Sequence, residues 1–366
     1  MIKKTIPSLN GLRTISILLV IAGHLNMYGF LKNFKSVLLV KYFVFNFNAS
    51  FGVNVFFVIS GFLITLLMLE EEKGEIKITK SLKNFYLRRI IRIFPAYYFL
   101  LFIYFLLNTI GFIKIDSRSW VYCISFARQF LATDDLTNHF WSLSVEELFY
   151  LFWPFVFYFM NKYRVRVLIF IIILTTINRY FQYDFPLKNL HLTIFNRADA
   201  LLIGCLIAIY YEQLVQILNK YNGKILFIIF SLVSINILVG DYLDNHLDSL
   251  NTLSNRNLNT VAIIARIVYS LFGSVGLITN LLIGIVIVIS INVRNIWFDF
   301  LNLKPIVFIG KLSYSLYLWQ QLFFTDLNYF KQYPIYLLLL FVFTCAMFSY
   351  YVIEKPFLKF KRNFTV

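Results

Sequence analysis

Arg13 and His24 stand eleven residues apart in a stretch that is largely apolar between them. On a helix that spacing is about three turns, so both side chains project from one face, roughly 16 Å apart along the axis. A histidine at such depth in apolar surroundings is costly unless it has a partner or a task. On these residues alone it is either a structural His bonded to a neighbouring helix or a working imidazole. A second intrusion is Phe140-Trp141-Ser142-Leu143-Ser144-Val145-Glu146-Glu147, where two carboxylates enter an apolar run together. Counted from the ends of their runs, Glu146 falls roughly 9 Å and His24 roughly 13 Å below the same boundary. Ser60 and Gln320 come out at a similar depth. Four polar side chains from four segments on one level define a candidate site.

Arg88-Arg89-Ile90-Ile91-Arg92-Ile93-Phe94-Pro95 is the densest basic motif. Arg88 and Arg92 are four apart and share a helix face, as Arg89 and Arg92 nearly do. Guanidinium forks suit phosphate groups, yet the same cluster also reads as a topology anchor. Pro95 is expected near the start of its span, where a missing N–H costs little. Arg197 and Asp199 are too close to face each other, so each is expected to pair with another span. Glu354-Lys355-Pro356 reads as a helix stop with a surface pair, and Tyr314 and Tyr317 read as packing. His139, His191 and His246 show no ligand pattern, and no spacing of Cys and His suggests a metal.

The elements that position these residues follow from composition. Of 366 residues 60% are hydrophobic and only 14% charged, which excludes a soluble enzyme, a disordered chain and a disulfide-stapled fold. The net charge of +16 comes from short basic clusters between apolar runs, the pattern of a membrane protein and not of a nucleic-acid binder. Cys123, Cys205 and Cys345 form no spaced motif. The expected fold is an all-α, polytopic integral-membrane bundle. About ten transmembrane helices are expected near 13–30, 53–69, 94–112, 140–160, 165–180, 197–211, 224–240, 274–291, 307–325 and 335–353. With the N-terminus in the cytoplasm, roughly twice as many Lys and Arg fall on the cytoplasmic side as outside, which favours cytoplasmic N- and C-termini in a multi-pass inner-membrane protein. Residues 70–92 should then lie on the cytoplasmic surface as an amphipathic stretch. No repeat or linker divides the chain, so 1–366 reads as a single integral domain with no appended soluble domain.

Taken together the motifs resemble acyltransferase family 3, the ten-span membrane O-acyltransferases that mostly acetylate bacterial surface polysaccharides and glycolipids. The resemblance is carried in order along the whole chain by Leu9-Asn10-Gly11-Leu12-Arg13 with His24, and by Gly52-Val53-Asn54-Val55-Phe56-Phe57-Val58-Ile59-Ser60-Gly61-Phe62. It continues through the Arg88–Pro95 motif, Phe140–Tyr150, Arg197-Ala198-Asp199, Gly310–Trp319 and Glu354-Lys355-Pro356. The family often has Asp where this chain has Asn10 and Asn54, and His where it has Gln320.

The resemblance implies a cytoplasmic acyl-CoA donor, usually acetyl-CoA, no metal, and a hydroxyl acceptor on a glycan or glycolipid. Arg13, Arg88 and Arg92 would hold the donor's phosphates. His24 would act as general base with Glu146 orienting its ring. Ser60, Trp141, Arg197, Asp199, Tyr314 and Gln320 would serve the substrates. Transfer would be completed by this chain itself or by a separate extracytoplasmic transfer protein. The competing reading is a transporter or flippase of lipid-linked sugars, which needs no CoA site.

Overall fold

In hydrocarbon a backbone must satisfy its own hydrogen bonds, and a helix does so within one segment. The computed structural model describes residues 6–31, 49–131, 134–181, 193–220, 231–232, 235, 260–325, 330 and 332–361, and among these it is all-helical, with no strand. The helices are α1 (Leu9–Met27), α2 (Ala49–Lys73), α3 (Ile78–Thr109), the short α4 (Ser117–Ile124), α5 (Phe140–Phe159), α6 (Arg164–Phe181) and α7 (Ile194–Ile209). They continue with α8 (Tyr211–Lys220), α9 (Thr260–Phe272), α10 (Leu277–Asn292), α11 (Ile296–Leu301), α12 (Lys304–Phe323), α13 (Ile335–Phe348) and α14 (Lys355–Lys361).

Four helical stretches are long and apolar enough to cross a membrane: 49–73, 78–109, 266–292 and 335–360. A fifth is reached if α7 and the first part of α8, bent 73° apart, form one span. The expected ten is therefore not reached on length and apolar character alone. The physical reason lies in the helices that fall short. α1 carries Arg13 and His24, α5 carries Glu146 and Glu147, and α12 carries Lys311 and Gln320, so polar residues dilute the apolar runs. The expected span 224–240 falls almost wholly outside the described residues, as do His191 and His246.

α1 is clamped between α2 and α12. Ser16 Oγ donates to the Gly52 carbonyl at 2.5 Å and Thr14 Oγ1 to the Ile306 carbonyl at 2.5 Å. Such hydroxyl-to-backbone bonds hold helices together where the surrounding solvent is as apolar as the side chains. The most extensive contact is α2 against α7. There Gly61 faces the Leu201 carbonyl and Gly204 the Val58 carbonyl, and a Cβ at either position would collide with that backbone. Two small residues thus let two helices approach closely enough to fix Ser60 and Arg197 relative to one another.

Pro95 does not open a helix. α3 begins at Ile78, so the proline sits mid-helix and the Ile91 carbonyl loses its usual donor. The expected surface stretch 70–92 is the end of α2, a turn through Gly74, and the first half of α3; residues 73–80 are largely exposed and Arg88 is buried. Glu354 is not a surface residue either. It ends a π-helical turn, Ser349–Glu354, is 5% exposed, and accepts a bond from Ser315 Oγ at 3.0 Å.

The α2–α7 crossing yields a direct test. Gly61→Val must push the two helices apart, an overpacking cost of about 1–3 kcal/mol or more. Thermal unfolding of the detergent-solubilised variant should begin several degrees lower, whereas Val substitution at the partly exposed Ala22 should leave it unchanged.

Candidate functional site

A cavity of about 330 Å³ opens between α1, α2, α3, α5 and α12 at the Arg13 end of α1. Three guanidinium groups line it: Arg13 from α1, and Arg89 and Arg92 from α3. Arg89 and Arg92 are three apart, so one face of α3 presents both. Among the described residues none of the three has a carboxylate within ion-pairing distance. Arg13 Nη1 reaches only Asn10 Oδ1 at 3.4 Å, and the Arg89 guanidinium lies 5.2 Å from the Tyr150 ring centre.

Glu146 lines the same cavity. It accepts from Ser60 Oγ and from Tyr150 Oη, both at 3.1 Å. Tyr150 is one helical turn beyond Glu146, so a single helix supplies carboxylate and clamp. Arg13, Arg89 and Arg92 all lie within electrostatic reach of this carboxylate. Tyr314 also borders the cavity and donates to the Ile93 carbonyl at 2.8 Å, tying α12 to α3 two residues before Pro95.

Ser142 and Tyr317 close the cavity on the side facing His24. Tyr317 Oη donates to the His139 carbonyl at 2.6 Å. A carbonyl only accepts, so that bond takes the single phenolic proton. The 2.6 Å bond between Ser142 and Tyr317 must then have Ser142 as donor. On α1, Ile17 and Val20 occupy the face between Arg13 and His24, and both are fully buried. The helix face that carries both Arg13 and His24 is therefore packed midway between them.

Beyond this barrier lies a second polar group. The Gln320 amide faces His24, and His24 is within electrostatic reach of His139. His139 Nε2 lies 3.2 Å from the Leu318 carbonyl. The expected single level thus resolves into two: Ser60 with Glu146 in the cavity, and His24 with Gln320 and His139 beyond it. His139 precedes Glu146 by seven residues, about 10 Å along the α5 axis. The expected Glu146–His24 pair is not made. Glu146 instead meets Ser60, because α5 enters the bundle at His139 and carries Glu146 past the level of His24.

Arg88 is also placed apart from the cavity. It is 2% exposed and pairs with Glu71, itself 4% exposed, at 2.7 Å. Arg88 and Arg89 differ by 100° on the helix, and the position of Glu71 on α2 decides which of them turns inward. Arg197 and Asp199 do each meet other helices. Asp199 pairs with Arg179 of α6 at 2.8 Å and accepts from Asn280 Nδ2 at 3.1 Å. Asn54 Nδ2 donates to Asn280 Oδ1 at 2.9 Å, and Arg197 lies over the Trp141 ring at 5.2 Å. Trp141 packs edge-on against Phe57 on its other side. Sequence reasoning passed over Arg89, Arg179, Asn280 and His139. For Arg179 the signal was a charge at the end of an apolar run, and for His139 its place immediately before the two-carboxylate helix. No cluster of metal-ligating side chains occurs among the described residues.

The fold and site define an all-helical membrane protein with a basic cavity between its helices. The chain belongs to acyltransferase family 3, whose acyltransferase domain matches residues 6–354. It is 28% identical over 384 residues to the O-acetyltransferase OatA of Staphylococcus aureus strain NCTC 8325 / PS 47, covering 97% of this chain and 57% of that protein. OatA of strain COL matches equally. A further protein of strain COL, provisionally named an O-acetyltransferase, is 27% identical over 391 residues, again 97% of this chain and 57% of its own. The chain therefore spans a little over half the length of these relatives. No solved structure matches.

The two faces of the arginine motif separate experimentally. Arg88→Gln strands Glu71 in a buried site, a loss of about 3–5 kcal/mol. It should lower the yield of folded protein and its thermal midpoint. The protein that survives should bind anionic ligands as the wild type does.

Proposed function

We propose that the chain is an integral-membrane O-acyltransferase that moves an acyl group, most simply acetyl, from cytoplasmic acyl-CoA to a hydroxyl of a surface polysaccharide or glycolipid. The observation that carries this reading is the cavity with three guanidinium groups and no carboxylate ion-paired to any of them. An unpaired charge inside a membrane protein is costly, and a polyanionic ligand resolves the cost. CoA supplies a pyrophosphate and a further phosphate, matched to guanidinium forks. Arg89 joins Arg13 and Arg92 in this role, and Arg88 becomes a support.

In this reading the Arg13 end of the bundle faces the cytoplasm, both termini are cytoplasmic, and ten spans sit in the inner membrane. The acyl end of the donor points toward Ser142 and Tyr317. The acceptor approaches from the His24 end, outside the cell. His24 takes the proton of the acceptor hydroxyl as its oxygen bonds the acyl carbon. The carbon–sulfur bond breaks, and the proton passes to the departing CoA thiolate. Ile17, Val20, Ser142 and Tyr317 stand between the two ends, so transfer requires that barrier to part. Glu146, held by Ser60 and Tyr150, sets the position of the arginines and leaves the net charge of the cavity positive. Because the relatives named O-acetyltransferases are longer than this chain, a separate extracytoplasmic transfer protein is the other arrangement by which the acyl group reaches its acceptor.

Two experiments test this. In lipid nanodiscs, the double variant Arg89→Gln, Arg92→Gln should bind acetyl-CoA at least about tenfold more weakly, a loss of about 1.4 kcal/mol. Its remaining binding should depend less on salt. Unchanged binding would leave the cavity without a donor and favour the transporter reading. Separately, His24→Ala should abolish acetyl esters on the cell's envelope glycans at matched expression, with acetyl-CoA binding kept within about twofold. Near-normal glycan acetylation in that variant would remove His24 from the chemistry.

A further inference from the structure

The polar group beyond the barrier has an unusual property. His24 Nδ1, His139 Nδ1 and both amide atoms of Gln320 are buried, and none completes a hydrogen bond. Gln320 is 0% and His139 2% exposed. Buried polar groups without partners are rare, and four such atoms on three side chains, with His24 in reach of both Gln320 and His139, point to a polar ligand. The tautomer of His139 is set by its surroundings. The Leu318 carbonyl can only accept, so Nε2 carries the hydrogen and Nδ1 presents a lone pair. The Leu136 carbonyl lies close to this ring without forming a hydrogen bond of good geometry.

The chemistry of the vacant partners is specific. Gln320 offers one donor group and one acceptor, and His139 Nδ1 offers an acceptor. None of the three side chains carries a fixed charge, and the cations of the cavity lie on the other side of Ile17 and Val20. Arg128, which lies within electrostatic reach of His139, is already held by Asp134 at 4.0 Å and Thr137 at 2.9 Å, so an anion would find no free counter-charge here among the described residues. A neutral ligand with adjacent hydroxyl groups would find a match for each, since a hydroxyl both donates and accepts.

We propose that His24, His139 and Gln320 form a binding site for the acceptor's neutral hydroxyl groups. His139 Nδ1 and the Gln320 amide hold hydroxyls adjacent to the one presented to His24. This rests on the reading of the chain as an acyltransferase and extends it. The acceptor moiety is a neutral polyol such as an uncharged sugar ring, and His139 is a substrate-binding residue.

The two nitrogens of His139 allow the site to be tested against a merely structural role. In His139→Gln the side-chain amide reaches the Nε2 position and keeps the tether to Leu318, while the Nδ1 acceptor is lost. In His139→Asn the amide oxygen sits near the Nδ1 position, and the tether is lost. Each variant is expressed as the full chain in cells of the source organism lacking the wild-type gene. Alkali-released acetate is measured on the envelope glycans, and acetyl-CoA binding is measured on the same protein in nanodiscs. The expected result is a loss of acetate of about tenfold or more in His139→Gln, near-complete retention in His139→Asn, and donor binding unchanged within about twofold in both. The reverse order, with Asn dead and Gln active, assigns His139 to the Leu318 tether alone and overturns the proposal. So does full activity in both variants, inactivity in both, or a parallel loss of acetyl-CoA binding. Absence of chain-dependent acetate even in the wild type would instead overturn the acyltransferase reading itself, a failure distinct from these.

Discussion

A charge in hydrocarbon must be paired or must face a polar ligand, and the architecture sorts its arginines by that rule. Arg88 with Glu71 and Arg179 with Asp199 are buried ion pairs between neighbouring helices, at 2.7 and 2.8 Å. They join α3 to α2 and α6 to α7. Arg13, Arg89 and Arg92 take the opposite course and converge on the cavity. The paired set fixes the helices, and the helices hold the second set together against its own repulsion. The hydroxyl bonds of Ser16 and Thr14 hold α1, and with it Arg13, in the same frame.

The second organising feature is the division along the bundle axis. Arg13 and His24 share a face of α1, but packed Ile17 and Val20 lie between them. On α5, Glu146 belongs to one compartment and His139 borders the other. α12 does the same with Tyr314 and Gln320. Trp141 of α5 meets Phe57 of α2 edge-on and the Arg197 guanidinium of α7. Each of these helices therefore contributes to the basic cavity and to the buried polar group of His24, His139 and Gln320.

Much of this was legible in the sequence, because intrusions of polar residues into apolar runs mark where helices face one another. Ser60 and Glu146 were expected at one depth and are bonded; His24 and Gln320 were expected together and face each other. What periodicity could not supply was the relative shift between helices. A depth count assumes that every run starts at the membrane boundary, and α3, which begins at Ile78 and carries Pro95 mid-helix, shows how far that fails. The choice between Arg88 and Arg89 was equally out of reach, since both share a face with Arg92 and only the placement of Glu71 separates them. His139 was given no role because a lone histidine at a helix start has no pattern of its own. Its meaning comes from Leu318 and Tyr317, about 180 residues away in sequence.

The hydrogen-bonded run from Ser142 through Tyr317 to the carbonyl of His139 has a consequence for how the two compartments communicate. Each hydroxyl has one proton to give, so the run has a direction and its members cannot rearrange independently. A molecule in the basic cavity that takes only the Ser142 proton leaves the bond to the His139 carbonyl in place, whereas one that displaces the phenol removes the bond that holds the His139 backbone. That shift is felt in the neutral compartment without anything crossing the wall. Such a connection makes the two occupancies thermodynamically linked. Whatever factor the first ligand imposes on the affinity of the second, the second must return to the first, and that factor is carried by two side chains, Ser142 and Tyr317, and one backbone carbonyl.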